Sequence, residues 1–239
     1  MENSIERIVP DMIEKNQQTG DESLRLHIER YHFAGKHLLK GIVADIACGA
    51  GYGSYLLATQ YSDKVLQVIA ADNDEGSISY AKSRYAHPNI TFVKDDITKF
   101  IPQVEFQNIV CLETLEHLHN PALFIRHIAQ YLQIGGLFIV SVPITPSMDA
   151  NPFHLHDFTE RTFKKLFTDA GFKEVAMMRQ VQPFNVSDVL FKKEKRTENM
   201  RRNILKYYVA NPEKFFLRLK SLLIDGFQNK YIVTIFLKK

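Results

Sequence analysis

The sequence has no tryptophan, two cysteines and no apolar run long enough to cross a bilayer. Cys48 and Cys111 allow one disulfide bridge at most, which excludes a disulfide-stapled fold. The longest apolar stretch, Leu137–Ile144, contains a serine and a proline and predicts a buried strand. Charged residues interrupt the first fifteen positions, so we expect no signal peptide there. These absences predict a cytoplasmic protein with reduced cysteines and no membrane insertion.

Glycine and proline are also scarce, with 11 and 9 in 239 residues, which excludes collagen-like and low-complexity classes. The hydrophobic fraction of 45% is enough for one large α/β domain or two small ones. The formal net charge is +3, an excess too small to indicate a nucleic-acid partner. Its distribution is uneven, because Pro183–Asn229 has ten Lys or Arg and five acids. That segment therefore carries +5 and leaves −2 for the rest.

Strand-like and helix-like runs alternate from about residue 42 to residue 180, which is typical of βαβ units in a mostly parallel sheet. The predicted strands are Ile42–Cys48, Val65–Asp72, Ile90–Lys94, Gln107–Leu112 and Leu137–Val142, with Lys173–Gln182 and Lys230–Lys239 as a sixth and a seventh. The predicted helices are Ser54–Ser62, Glu75–Tyr85, Pro121–Leu132 and Thr159–Ala170. We expect a helical preface over 1–40 and one domain over 41–239, with a basic helical insertion at about 183–229.

Three glycines, Gly49, Gly51 and Gly53, stand where the first predicted strand changes into a helix. Such a turn needs residues without Cβ, because the backbone adopts positive φ or approaches a ligand closely. Asp45, four residues before Gly49, can accept hydrogen bonds from an ammonium group. Asp72 ends the next strand and can bind both ribose hydroxyls. These features do not follow the spacing of the dinucleotide-binding motif GxGxxG.

After the third strand, Asp96 can accept from an exocyclic amine, and Ile97 offers an apolar wall for a purine. Asp95 precedes it, and we favour Asp96 as the residue that meets the adenine. Ammonium, ribose and adenine together describe S-adenosylmethionine. The alternative is an ordinary strand-to-helix turn with three surface acids.

The chain resembles the class I S-adenosylmethionine-dependent methyltransferases in five motifs, DIACGAGYGS, VIAADND, FVKDDI, VCLETLEHLHNP and GGLFIVSVP. The resemblance covers about residues 24 to 180. It implies a Rossmann-like seven-stranded sheet with helices on both faces and an antiparallel last strand. The cofactor-binding residues that it implies are Arg30, Tyr31, Asp45, Ala47, Cys48, Gly49, Gly51, Tyr52, Asp72, Asn73, Asp96, Ile97 and Leu112.

Arg30 and Tyr31 belong to an HxxRYxFA stretch, which resembles one found in bacterial methyltransferases associated with surface glycans. The resemblance implies that Arg30 meets the methionine carboxylate and that Tyr31 closes over the cofactor. A solvated helix face with Tyr31 in the core is the alternative.

The segment after the fourth predicted strand contains Glu113, Glu116 and His117, where the family places its methyl acceptor. His117 is our candidate general base for a hydroxyl acceptor, because an imidazole can take a proton at neutral pH. Glu116 or Glu113 would orient it. Alternatively, Glu113, Glu116 and His117 bind Mg²⁺ or Mn²⁺, as the resemblance to ubiquinone-pathway and small-RNA-end methyltransferases implies. A purely structural role for all three is the third interpretation.

The segment from Asn151 to Thr159 resembles an FHxxxFT element of the same methyltransferase group. His154 matches its histidine and is our second candidate catalytic residue, with His156 as a neighbour. Alternatively, phenylalanines anchor this loop and the histidines bind backbone atoms.

The predicted function is methylation of a small-molecule hydroxyl, on a sugar or sugar nucleotide. The basic insertion would attract a phosphate-bearing acceptor, although we expect its apolar stripe (Phe215, Phe216, Leu219, Leu222 and Leu223) to pack in the core. The rivals are a metal-dependent RNA-end or quinone-type enzyme and a non-catalytic S-adenosylmethionine-binding protein. The sequence is compatible with a homodimer.

Overall fold

The computed structural model describes residues 8–12, 18–183 and 203–239. Seven strands form one sheet: β1 (Gly41–Ile46), β2 (Val65–Asp72), β3 (Ile90–Lys94), β4 (Phe106–Leu112), β5 (Leu132–Pro143), β6 (Phe172–Pro183) and β7 (Gln228–Lys238). The α-helices of the described residues are α1 (Gln18–His37), α2 (Tyr52–Gln60), α3 (Glu75–Arg84), α4 (Pro121–Ile128), α5 (Glu160–Asp169), α6 (Ile204–Ala210) and α7 (Pro212–Asp225).

The strand order is β3-β2-β1-β4-β5-β7-β6. Strands β1 to β5 pair in parallel, whereas β7 lies antiparallel between β5 and β6. The prediction of a seven-stranded sheet with an antiparallel last strand is therefore confirmed. The order reverses at β1 and β4, and open α/β sheets bind ligands at the carboxyl ends of the strands beside such a point.

Two apolar clusters cover the two faces of the sheet. One contains Phe124 of α4 and Phe163 of α5. The other contains Leu57 of α2 and Ile78 of α3, together with Tyr31 of α1. The near-continuous burial of β1 and β4 follows from this two-sided cover, since strands between two helical layers expose neither face.

Local sequence signals mark the starts of three helices and the end of one. Asp74 caps α3 by accepting from the Ser77 N–H at 2.7 Å, and Asn120 caps α4 from a position before Pro121. Thr159 begins α5 with a capping box, and Gly171 follows this helix with φ at +87°. None of the described helices has the length and hydropathy that a membrane crossing requires.

The insertion between β6 and β7 departs from expectation. Residues 184–202, which belong to the predicted basic insertion at about 183–229, lie outside the described residues. Helices α6 and α7 follow. The expected core packing of the apolar stripe is wrong. Leu222 is only half-buried, and the other four side chains are exposed: Phe215 (44%), Phe216 (65%), Leu219 (41%) and Leu223 (79%).

Candidate active site

A cavity of about 620 Å³ opens at the carboxyl ends of the parallel strands. Its walls come from α1 and from the loops after β1 to β5, together with residues near the start of β7. Eleven of the predicted cofactor-binding residues line it: Arg30, Tyr31, Ala47, Cys48, Gly49, Tyr52, Asp72, Asn73, Asp96, Ile97 and Leu112. The candidate residues for the reaction also line it: Glu113, Glu116, His117 and His154.

The three glycines of the turn after β1 have different surroundings. Gly49, at φ +54°, faces open space, since a Cβ built there would meet no heavy atom within 4 Å. At Gly51 a Cβ would come within 2.6 Å of the Ala81 side chain, and at Gly53 within 1.9 Å of the Tyr31 ring. Gly49 therefore forms part of the cavity wall, whereas Gly51 and Gly53 permit close packing behind it.

Asp45, the predicted ammonium acceptor, does not line the cavity. It is 1% exposed and lies beneath the glycine turn, where its carboxylate accepts from Ser54 Oγ at 2.6 Å. The Tyr31 hydroxyl lies 3.3 Å from each Asp45 carboxylate oxygen. Burial raises the pKa of Asp45 to about 7, against the opposing effect of these two hydroxyl groups. This geometry makes Asp45 a positioning residue that joins α1, α2 and the glycine turn.

The Asp45→Asn variant tests this assignment. Because folding raises the Asp45 pKa, the native state keeps a proton that the unfolded state releases, so stability falls as pH rises from about 4 through 7. Asparagine does not titrate and therefore removes this loss. Each tenfold difference in the proton dissociation constant between the folded and unfolded states corresponds to about 1.4 kcal/mol of stability, or roughly 3–6 °C in melting temperature. We expect the variant to melt above the wild type at pH 8, with a smaller difference at pH 5. Scanning calorimetry measures both.

S-adenosylmethionine affinity provides the second readout for Asp45→Asn. We expect the dissociation constant to change by less than about threefold, because Asp45 touches the cavity only through Tyr31 and the turn. A tenfold loss of affinity without a loss of stability would instead show that the Asp45 carboxylate reaches the ligand ammonium.

The two acids after β2 and β3 lie on the cavity wall as the sequence predicts. Asp72 accepts from the Gly49 N–H and the Asp74 N–H, each at 2.9 Å, and so ties the glycine turn to the end of β2. Asp96 lines the cavity and Asp95 does not. Asp96 accepts from the Thr98 hydroxyl at 2.6 Å, and its hydrogen bonds with Thr98 lower its pKa.

Arg30 is 1% exposed and joins α1 to the far edge of the sheet. Its Nε donates to Gln180 Oε1 at 2.7 Å, and its guanidinium lies 4.4 Å from the centre of the Tyr231 ring. Nη1 lies 3.3 Å from Glu113 Oε1 but has no hydrogen-bond partner among the described residues. This ion pair lacks hydrogen-bond geometry, so the buried N–H groups of Nη1 can donate to a ligand carboxylate.

Glu113 holds this arginine rather than joining the histidines. Its φ is +48°, a left-handed conformation that costs a non-glycine residue about 1–2 kcal/mol. The Glu113 N–H donates to the Ser141 carbonyl at 3.1 Å, and Ser141 Oγ donates to Glu113 Oε1 at 2.7 Å. The contacts with Arg30 and β5 therefore fix Glu113, and the predicted metal ligand set that includes it is not the one that the structure assembles.

His117 and His154 meet edge to face, with ring centroids 4.7 Å apart. Potential ligand atoms of Glu116, His117 and His154 all lie within 4.8 Å of one another, so His154 occupies the place expected for Glu113. His117 Nδ1 lies 3.2 Å from the Phe153 carbonyl. That contact requires an N–H at Nδ1, which leaves the Nε2 lone pair unprotonated in the neutral ring.

His154 differs from His117 in its environment. Its Nδ1 lies 2.6 Å from Ser147 Oγ. Burial, and then the neighbouring His117, lower the pKa of His154 to about 4, although Asp157 opposes the shift. A neutral imidazole with so low a pKa is a weak base, so His154 is better suited to hydrogen bonding or metal binding. The neighbouring His156 bonds instead to the Leu118 carbonyl at 2.8 Å.

The helical insertion holds the loop that carries His154. Lys214 donates to Asp157 at 2.8 Å, and Arg218 donates to Asp149 from Nε at 2.8 Å. Arg218 also donates to the Pro146 carbonyl at 2.6 Å. These two cations are neutralised by acids of the loop, so they position the loop and add little positive potential to the cavity.

Sequence reasoning missed the contribution of the last two strands. Tyr231 and Asn229 of β7 and Gln182 of β6 line the cavity, and Tyr231 supports the Arg30 guanidinium. Burial, and then Glu113, raise the pKa of the Tyr231 hydroxyl to about 12. No local motif marks these residues, because β7 reaches the site only through its antiparallel position beside β5.

Comparison with known proteins gives a family match and shared folds. Residues 43–136 match the family model described as a methyltransferase domain. A "putative methyltransferase" structure from Bacillus halodurans superposes with a TM-score of 0.66, over 88% of this chain and 98% of that one, at 18% identity. The fold is that of the class I methyltransferases. The N-methyltransferase NodS from Bradyrhizobium japonicum, solved with S-adenosylhomocysteine, shares it with a TM-score of 0.60, over 94% and 90% of the two chains, at 13% identity.

A curated relative extends the similarity in sequence. A protein of Mycobacterium tuberculosis named "Probable S-adenosylmethionine-dependent methyltransferase" is 31% identical over 179 residues, which are 72% of this chain. The chain spans 61% of the length of that relative.

Proposed function

We propose that the protein is an S-adenosylmethionine-dependent methyltransferase that acts on a hydroxyl group of a small molecule, such as a sugar or sugar nucleotide. The observation that carries this proposal is the lining of a single cavity. The glycine turn, Asp72 and Asp96, which suit the cofactor, line it together with Glu116, His117 and His154, which suit the acceptor. The M. tuberculosis relative and the methyltransferase-domain match support the same reaction class.

The residues present fit the cofactor. Gly49 leaves open space beside the turn, and buried Arg30 Nη1 has no hydrogen-bond partner among the described residues. Arg30 would bind the carboxylate, Asp72 the ribose hydroxyls and Asp96 the adenine amine, with Ile97 against the purine ring. When bound, S-adenosylmethionine supplies a methyl group activated by its sulfonium centre.

Methyl transfer to a hydroxyl requires that the acceptor oxygen is aligned with the methyl group and that the hydroxyl proton is removed. The Phe153 carbonyl fixes the His117 tautomer, so that Nε2 can accept the proton from a hydroxyl in the cavity. His154 stays neutral and can hold the acceptor by a hydrogen bond, and Ser147 fixes its ring. Buried Glu116 places a carboxylate near both rings, where it can orient them.

The test is release of S-adenosylhomocysteine from the purified full chain with a panel of acceptors. The panel contains sugars, sugar nucleotides, quinols, RNA ends and, because NodS is an N-methyltransferase, small amines. We expect release that depends on a small hydroxyl acceptor, with product mass increased by one methyl group. Transfer to amines alone would contradict the hydroxyl assignment. Calorimetric binding of S-adenosylmethionine without transfer to any member would favour a non-catalytic binding protein.

A metal-assisted reaction is the second candidate, favoured by the Glu116, His117 and His154 cluster. One carboxylate and two imidazoles fit Mn²⁺ better than Mg²⁺, which prefers oxygen ligands. These three residues would hold the ion, and a bound divalent cation acidifies an acceptor hydroxyl. The acceptor assay is therefore also run after EDTA treatment and with added Mn²⁺. We expect the rate to stay within about twofold after EDTA, whereas loss on chelation with recovery in Mn²⁺ would favour this second candidate.

A further inference from the structure

Helix α7 has its polar and apolar faces reversed relative to an ordinary helix of a globular protein. Lys214, Arg218, Ser221 and Asp225 recur at helical spacing and are buried or half-buried. Three of them contact the domain through ion pairs, Lys214 with Asp157, Arg218 with Asp149, and Asp225 with Lys230. A surface helix normally turns its apolar residues to the core, so the packing of α7 calls for a separate explanation.

The opposite face of α7 is apolar and open. Phe216, Leu219 and Leu223 lie three and four residues apart on one side, with exposed fractions of 65%, 41% and 79%. The preceding helix α6 adds Leu205 and Val209, which are 79% and 84% exposed. We call these five side chains the apolar surface. Single exposed apolar residues are ordinary, but a group of large ones on adjacent helices marks an interaction site.

The exposed charges around the apolar surface are mainly positive and favour a negatively charged partner. Lys206 and Lys220 are exposed, and within the described part of the chain neither forms an ion pair. Glu213 is the exposed acid of α6 and α7, since Asp225 pairs with Lys230. A second copy would bring like charges together, whereas a negatively charged surface would neutralise them. Large apolar side chains beside lysines are the composition of helices that lie in the interface of anionic lipid bilayers.

We propose that α6 and α7 dock the protein on an anionic lipid surface through this apolar surface. The helices would lie in the headgroup region, with Phe216 and Leu223 inserted and Lys206 and Lys220 near lipid phosphates. Arg218 and Lys214 connect α7 to the loop of Pro146 to Asp157, which carries His154 and lines the cavity. Docking would therefore hold this wall of the cavity close to the membrane, whatever reaction takes place in it.

Flotation of the full chain with vesicles tests the proposal. One set is phosphatidylcholine, and the other contains phosphatidylglycerol as well. We expect binding to the anionic set, with loss in high salt because the lysines contribute through charge. The Phe216→Ser, Leu223→Ser double variant should weaken binding about tenfold or more, and Lys220→Gln about fivefold. Ile134→Ser is the matched control, since Ile134 is 75% exposed near the start of β5, outside the apolar surface.

Melting curves of all variants report whether they fold, and the substituted side chains are exposed enough that we expect little change. Equal binding of the double variant and the wild type would overturn the proposal. So would the absence of binding to either vesicle set. A concentration-dependent dimer in gel filtration, dissociated by the same double variant, would assign the apolar surface to a second copy of the chain instead of a bilayer.

Discussion

Replacing Asp72 with alanine is expected to weaken S-adenosylmethionine binding by about 100-fold. Asp72 accepts the backbone N–H groups of Gly49 and Asp74, and it lines the cavity, where we expect its carboxylate to accept from both ribose hydroxyls. A hydrogen bond to a charged group contributes about 1.5–3 kcal/mol, so loss of two accounts for roughly 3 kcal/mol or a factor of about 100. Isothermal titration calorimetry measures the dissociation constant.

Two controls separate ribose binding from collapse of the glycine turn. Asp63→Ala removes an exposed carboxylate at the start of β2 and should leave affinity unchanged. Asp72→Asn keeps one oxygen acceptor and should lose less affinity than alanine does. If Asp72→Ala binds the cofactor as tightly as the wild type, the ribose assignment is untenable, even where its melting temperature falls.

The parallel part of the sheet was predictable because local sequence and tertiary environment agree there. The predicted bounds of β2 and β3 coincide with the observed Val65–Asp72 and Ile90–Lys94. Both runs are β-branched or apolar and stop at a polar residue where the chain leaves the sheet. Capping signals defined α5 in the same way, through Thr159 at its start and Gly171 beyond its end.

Predictions failed where tertiary pairing overrides local preference. The predicted helix Pro121–Leu132 ends at Ile128, and β5 begins at Leu132, five residues before its predicted start. Gln133 and two glycines hide this start from a propensity argument, yet Leu132 pairs with Phe106 of β4 beyond a register shift. Long-range pairing of this kind leaves no signal in a short window of sequence.

The site shows the same division between local and distant information. Motifs near β1, β2 and β3 predicted residues that do line the cavity, because each motif immediately follows its strand. The Arg30 environment was not predictable, since Gln180 lies 150 positions away and Tyr231 belongs to the last strand. The core packing predicted for the apolar stripe of α7 is wrong, because the helical spacing of apolar residues identifies a face of the helix but not what covers that face.

Replacing His117 with alanine is expected to lower the turnover number with the hydroxyl acceptor at least about 100-fold. General-base catalysis contributes typically 10²–10⁴-fold, and His117 Nε2 is the basic nitrogen that the contact with the Phe153 carbonyl leaves open. Cofactor affinity should stay within about threefold, because His117 is not among the residues that we assign to cofactor binding. His119→Ala, at an exposed neighbouring histidine, is the matched control.

Added imidazole distinguishes a base from a structural residue. If His117 accepts the proton, free imidazole in the space left by the alanine should restore part of the turnover number, with recovery that grows with the unprotonated fraction. A residue that only supports the loop of Phe153 would give no such recovery, and the variant would lose thermal stability instead. If the His117→Ala enzyme is as fast as the wild type, His117 is not the general base. If His117 were a metal ligand, the remaining activity of the variant would depend on added Mn²⁺ and not on imidazole.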